Sequence, residues 1–274
     1  MNLAIWKKAF SDAWLPLVVS SIILGLFGWL FVWLMSHLPV GGFAAILQWM
    51  PKFFQPMLGA PLADLATPVG QISILYVHMI TMLICVGWAV GRGSDPITGE
   101  IGRGTMDLIL SLPIHRATAL VAPAVVATFG AALLAVAVWT GTWVGLHTVE
   151  FPGQVGAGRF LPGAVNLFCV TVCLTGITTL ISSFNRDRWR VIAQAMGFFV
   201  ISLILKMVGR IWTEGSWLMY GSFLSAFRPQ KLILSADDPA VSAWPYNLTL
   251  LSIGLLCYLA AAVVFSRRDI PAAR

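Results

Sequence analysis

The chain has 274 residues, of which 58% are hydrophobic and only 10% charged, with a mean hydropathy of +0.86 and a formal net charge of +6. Soluble domains carry about a quarter charged residues, so a fold exposed to water on all sides is excluded. The basic excess is split among short segments and builds no folded basic face, which argues against nucleic acid as a partner.

At the start, Leu3, Ile5, Trp6, Phe10 and Trp14 mingle with Lys7, Lys8 and Asp12, a pattern that predicts a short interfacial helix serving as an elbow into the membrane. Span 1 follows at about 15–36. Lys7 and Lys8 before an apolar run also fit a signal peptide, but Leu15 to Met35 exceeds the usual h-region of about 7–15 residues and no A-x-A site follows. The segment 37–68 is rich in proline and aromatic residues, which predicts broken interfacial structure. Span 2 is placed at 69–90, span 3 at 118–146 and span 4 at 161–184. Within span 3, Gly141-x-x-x-Gly145 predicts close helix packing. Span 5, at 191–210, is the shortest run and continues past Lys206 and Arg210, whose long side chains can snorkel to the interface. The uncharged stretch 215–227 is too short to cross, and so predicts a re-entrant or interfacial helix before span 6 at 246–266.

Each run offers about 20 residues for a hydrocarbon layer of about 30 Å. None shows the alternation of a membrane barrel. The expected fold is therefore all-α and membrane-integral, one domain over 1–274, with six transmembrane helices.

Basic residues near span ends set orientation. With six spans, Lys7, Lys8, Arg92, Arg103, Arg116, Arg186, Arg188, Arg190, Arg267, Arg268 and Arg274 fall on one side, and Lys52, Arg159, Arg210, Arg228 and Lys231 on the other. That asymmetry puts both termini in the cytoplasm.

The connection between spans 2 and 3, Gly91 to Arg116, is far longer than the 2–8 residues that join packed antiparallel helices. A helix from about Ile97 places Ile97, Ile101, Thr105, Leu108 and Leu112 on one face and Glu100, Arg103, Asp107 and Ser111 on another. Asp95-Pro96 is a suitable start and Leu112-Pro113 a suitable stop. Phosphate-binding loops, nucleophile elbows and zinc-protease helices have no counterpart in the sequence. No Asp or Glu falls within a span, which favours an energy source outside this chain. His78 in span 2 and Lys206 in span 5 are the titratable groups placed at membrane depth, and hence candidates for the transport path. Cys169 and Cys173, one turn apart in span 4, suit a packed helix better than a soft metal ion.

Gly99-Glu100, Gly104-Thr105, Asp107-Leu108, Leu110 to Pro113 and Arg116 resemble the GE-x-x-x-GT-x-(D/E)-L-x-L-SLP-x-x-R stretch of ABC-2 type permeases. The tail from Phe265 to Asp269 is similar to the F-x-RRD ending of that family, and the short stand-alone permeases, including the group that serves nitrous-oxide-reductase maturation, are the nearest in plan. The resemblance implies a cytoplasmic coupling helix between spans 2 and 3, with Ile97, Glu100, Ile101, Arg103, Gly104, Thr105, Asp107, Leu108, Leu112 and Arg116 meeting a separate ATPase. It also implies two ATPase copies holding ATP and Mg, a second permease chain, no cofactor or metal on this chain, and residence in the inner (plasma) membrane of a bacterium. The importer signature needs glycine six residues beyond its glutamate, where this chain has Met106, so export is expected. The rival readings are an integral membrane enzyme acting on lipid or peptide, and a channel or scaffold without an ATPase.

Overall fold

In lipid no water is available to the backbone, so a continuous apolar run must satisfy its own N–H and C=O groups, as a helix does. A computed structural model describes residues 3–38, 49, 58–106, 108, 118–149, 155–238 and 240–267. Among these, six helical segments are long and apolar enough to cross a membrane, and there is no strand.

Helix α1 covers Leu3–His37. The short α2 (Leu62–Leu65) leads into the second span, built from α3 (Pro68–Ser73), a 3-10 turn (Ile74–Val77), α4 (Met79–Ser94), a π turn (Asp95–Gly99) and α5 (Glu100–Gly102). Then come α6 (Thr118–Thr148), α7 (Leu161–Phe184), α8 (Arg188–Ile211), the short α9 (Pro229–Leu234) and α10 (Trp244–Arg267). All six expected spans are present.

Helix α7 is the buried axis of the bundle, flanked by α4, α6 and α10, and α1 lies along α6. Two crossings depend on missing side chains. A Cβ on Gly28 of α1 would lie 3.2 Å from the Cα of Gly141, and one on Gly145 would lie 2.6 Å from the Val32 Cβ. The expected packing role of the Gly141/Gly145 pair is thus met on α1. At the other crossing, Gly176 of α7 lies against Gly254 of α10. Small residues at such contacts let backbones approach where no hydrophobic effect drives helices together. A polar tie adds to the second crossing. The buried Asn166 amide of α7 donates to Asn247 Oδ1 at 2.8 Å and to the Ala226 carbonyl at 3.2 Å, and its oxygen accepts the Arg228 N–H at 2.8 Å.

Three expectations are revised. The elbow before span 1 is not separate, because α1 runs unbroken through Pro16. Span 2 is not a single helix. Its 3-10 turn ends at His78, which is extended (φ −61°, ψ 145°) and caps α4 by accepting the Ile80 N–H on Nδ1 at 3.2 Å. The stretch 215–227 forms two 3-10 turns, Ser216–Gly221 and Phe223–Ala226, in place of one helix. Ser222 interrupts it in extended conformation and donates its hydroxyl to the Ser202 carbonyl at 2.6 Å.

Candidate functional site: the charged end of the bundle

The motif around Glu100 is a helix ending. Gly104 N–H donates to the Ile101 carbonyl at 3.0 Å and Thr105 N–H to the Glu100 carbonyl at 3.1 Å, while Gly104 sits at φ +71°. These two bonds and the left-handed glycine make a Schellman ending, in which glycine is favoured because it alone bears no Cβ. Glu100 stands three residues before the cap, so its side chain turns back over the ending. Its carboxylate accepts from Lys8 at 2.5 Å, from Arg103 at 2.6 Å and from the Thr105 hydroxyl. The glutamate, glycine and threonine of the motif therefore build one object. Burial alone would disfavour the charge of Arg103, but its bonds to Asp95 and Glu100 outweigh that and hold its pKa above the ordinary value.

Asp95 extends the cluster. Its Oδ1 lies 3.0 Å from Arg103 Nη1 and 3.3 Å from Arg188 Nη1. Arg188, the first residue of α8, also reaches the Gly91 carbonyl of α4 at 3.4 Å. The last turn of α7 joins through Ser182, which donates to the Ser94 carbonyl at 3.3 Å and accepts the Thr98 N–H at 3.3 Å. Pro16 supplies a further link. It has no N–H to give the carbonyl four residues back, that of Asp12. Arg92 donates to that carbonyl instead, at 3.1 Å. Helices α1, α4, α5, α7 and α8 thus meet at one end in a continuous polar network. Beneath it Ile97, Met106, Leu120 and Phe265 form a small apolar core that also holds α6 and α10.

The family model for ABC-2 family transporter proteins matches residues 29–270. This chain belongs to the ABC-2 transporter family. The ABC-2 chain is accordingly the membrane permease component of an ABC transporter, a transport part rather than an enzyme, and membership implies association with an ABC ATPase in general terms. No curated protein matches it.

In this ABC-2 permease the residues proposed from sequence divide into three groups. Glu100, Arg103, Gly104 and Thr105 are brought together, as described. Ile97 is buried in the small core with Ile101 packed on it, whereas Leu108 is 69% exposed. Asp107, Leu112 and Arg116 lie outside the described residues. The single amphipathic helix from Ile97 is revised, because α4 continues through Pro96. A π turn absorbs the imino acid, with the Glu100 N–H reaching back five residues to the Asp95 carbonyl, and the helix then ends at Gly104. Of the polar face, Glu100 is buried against α1 while Arg103 stays exposed. In the sequence, Lys8, Arg92, Asp95 and Arg188 carry only orientation or boundary signals. Pro16, a proline inside an apolar helical run, is the local signal of a carbonyl that needs an outside donor. His78 and Lys206 do not meet. The His78 ring packs 5.0 Å from Phe27 and 5.7 Å from Phe31 of α1, while the Lys206 ammonium donates to the Phe227 carbonyl at 2.8 Å.

Proposed function

We propose that this chain is the permease subunit of an ATP-driven exporter in the bacterial inner membrane, with the charged end facing the cytoplasm and a separate ATPase. The observation that carries the reading is the network from Lys8 through Glu100, Arg103 and Asp95 to Arg188, which ties the connection after span 2 to both α1 and α8. Closure of an ATPase dimer around Mg-ATP is a rigid-body motion, and a connection locked to three spans can pass it on as tilting of those spans. Two permease chains, identical or sister, pair with two ATPases in this scheme. In this scheme the exposed Leu108 meets the ATPase, together with Asp107, Leu112 and Arg116, which the family resemblance assigns to the same contact. Glu100, Arg103 and Thr105 stiffen its root.

Affinity capture of the partner ATPase tests this. Leu108→Asp should lower ATPase recovery about tenfold or more, since it puts a charge into an apolar contact. Asp237→Ala at the far end removes only a surface pair with Arg159 and should leave recovery unchanged. Equal recovery with both variants would refute the coupling role.

Orientation has its own check. Lys8 and Phe265 border the same cavity, so α1 begins and α10 ends at the same side of the bundle. Reporter fusions at Ala273 and next to Asp237 should show opposite compartments, cytoplasmic for Ala273. A shared compartment would remove span 6 from the scheme.

A further inference from the structure

A chamber of about 570 Å3 opens between the second span and α8, away from the charged end. That volume falls within the range of about 300–1,000 Å3 typical of small-molecule sites. Met82, Leu83 and Val86 of α4 face Phe199, Leu203 and Met207 of α8 across it. Methionine and leucine adapt their shape to a flexible apolar guest. The rim has the opposite character. Lys206, Arg210 and Arg228 line the same chamber, and a neighbouring cleft of about 380 Å3 shares Arg210 and Arg228 and adds Lys231. No acidic residue lines either space among the described residues.

Three of these cations, Lys206, Arg228 and Lys231, are held in place by carbonyls and rings and not by carboxylates among the described residues. Lys206 donates to the Phe227 carbonyl and lies 5.4 Å from the centre of its ring. Arg228 donates to the Ser225 carbonyl at 2.9 Å, and both Arg228 and Lys231 stand against the Tyr246 ring. Carbonyls and aromatic faces orient a cation yet leave its charge available. Lys206, Arg228 and Lys231 form no ion pair among the described residues. Cationic side chains so close to an apolar chamber are costly unless an anion meets them, and such residues near membrane depth mark substrate paths.

We infer that this chamber binds an amphiphile with an anionic head group, its head against Lys206, Arg210 and Arg228 and its tail among the residues of α4 and α8. The inference rests on the permease reading, in which such a molecule is the cargo. A small hydrophilic anion would leave the apolar walls unfilled, and a neutral lipid would leave Lys206 and Arg228 without a counter-charge.

The test uses the full chain alone in nanodiscs, with two photoactivatable lipids carrying the same diazirine tail, a phosphatidic acid and a phosphatidylcholine. Peptide mapping after illumination should find the phosphatidic acid on the chamber faces of α4 and α8, about tenfold above the phosphatidylcholine, the effect of one charge-assisted contact. Lys206→Gln with Arg228→Gln should erase that preference. Because Arg228 also bonds within its own loop, Leu203→Trp serves as a second variant, and it should block labelling of the chamber by filling it. Equal labelling by both lipids, or labelling confined to the outward face of α1 at Ile22 and Leu26, would overturn the inference and mean surrounding bilayer lipid only. No ATPase is present, so this failure is separate from failure of ATPase capture, which would overturn the permease coupling scheme and leave the chamber's chemistry standing.

Discussion

Glu100→Ala is expected to loosen the whole charged end of the bundle and uncouple transport from ATP hydrolysis. The buried carboxylate accepts three bonds, from Lys8, Arg103 and Thr105, and its removal leaves the Arg103 guanidinium shared with Asp95 alone. A hydrogen bond to a charged group is worth about 1.5–3 kcal/mol. Because the Lys8 and Arg103 side chains are 41% and 42% exposed, water screens part of this, and the lower half of that range is expected. In thermal unfolding followed by tryptophan fluorescence, Glu100→Ala should lower the midpoint by a few degrees. Glu100→Gln, which keeps the shape and loses the charge, should fall between it and the parent. The pairing itself is tested by a double-mutant cycle. Lys8→Ala combined with Glu100→Ala should cost less than the two singly, by about 0.5 kcal/mol or more. Strict additivity would mean that α1 is not held by this bond. Reconstituted with its ATPase, the Glu100→Ala chain should still support hydrolysis while transport falls.

The number and placement of the spans were legible because an apolar run of about 20 residues in lipid has one way to satisfy its backbone. The chemistry at the charged end was legible only as a motif. Glu100, Gly104 and Thr105 could be picked out, but the bonds that unite them with Lys8, Asp95 and Arg188 join residues up to 93 positions apart, from Asp95 to Arg188, which local periodicity cannot register. Pro96 was misleading for a related reason. Proline ordinarily marks a helix start, yet one π turn lets the helix pass it, and the same turn carries Ile97 into a core with Leu120 and Phe265, partners that lie far along the chain. The break at His78 is hidden in the same way. The run from 69 to 90 carries no Asp, Glu, Lys or Arg to mark a break, and what sets the extended His78 apart is tertiary packing of its ring on Phe27 and Phe31 together with its cap on the Ile80 N–H.

Gly176→Leu is expected to abolish the folded chain rather than weaken it. A Cβ at position 176 would overlap the carbonyl oxygen of Gly254, and one at position 254 would stand 3.0 Å from the Cα of Cys173. Both obstacles are backbone, so no rotamer change on the facing helix relieves them. Insertion of extra methylenes into a packed core costs about 1–3 kcal/mol when neighbouring side chains can give way. Here α7 and α10 would have to separate by the width of a side chain, which would also pull Asn166 from Asn247 and take the donor from the Asn247 oxygen. Those losses compound at the axis of the bundle, against a total stability of about 5–15 kcal/mol for a typical domain. Gly176→Ala should show a smaller loss in the same direction. Gly87→Ala on the open face of α4 is the matched control, because a Cβ there meets nothing within 4 Å. That change should hold or raise stability by up to about 1 kcal/mol, the ordinary gain of alanine over glycine inside a helix. The measurement is the yield of monodisperse protein in detergent, together with its unfolding midpoint. A Gly176→Leu chain as abundant and as stable as Gly87→Ala would mean that α7 and α10 do not touch at these glycines.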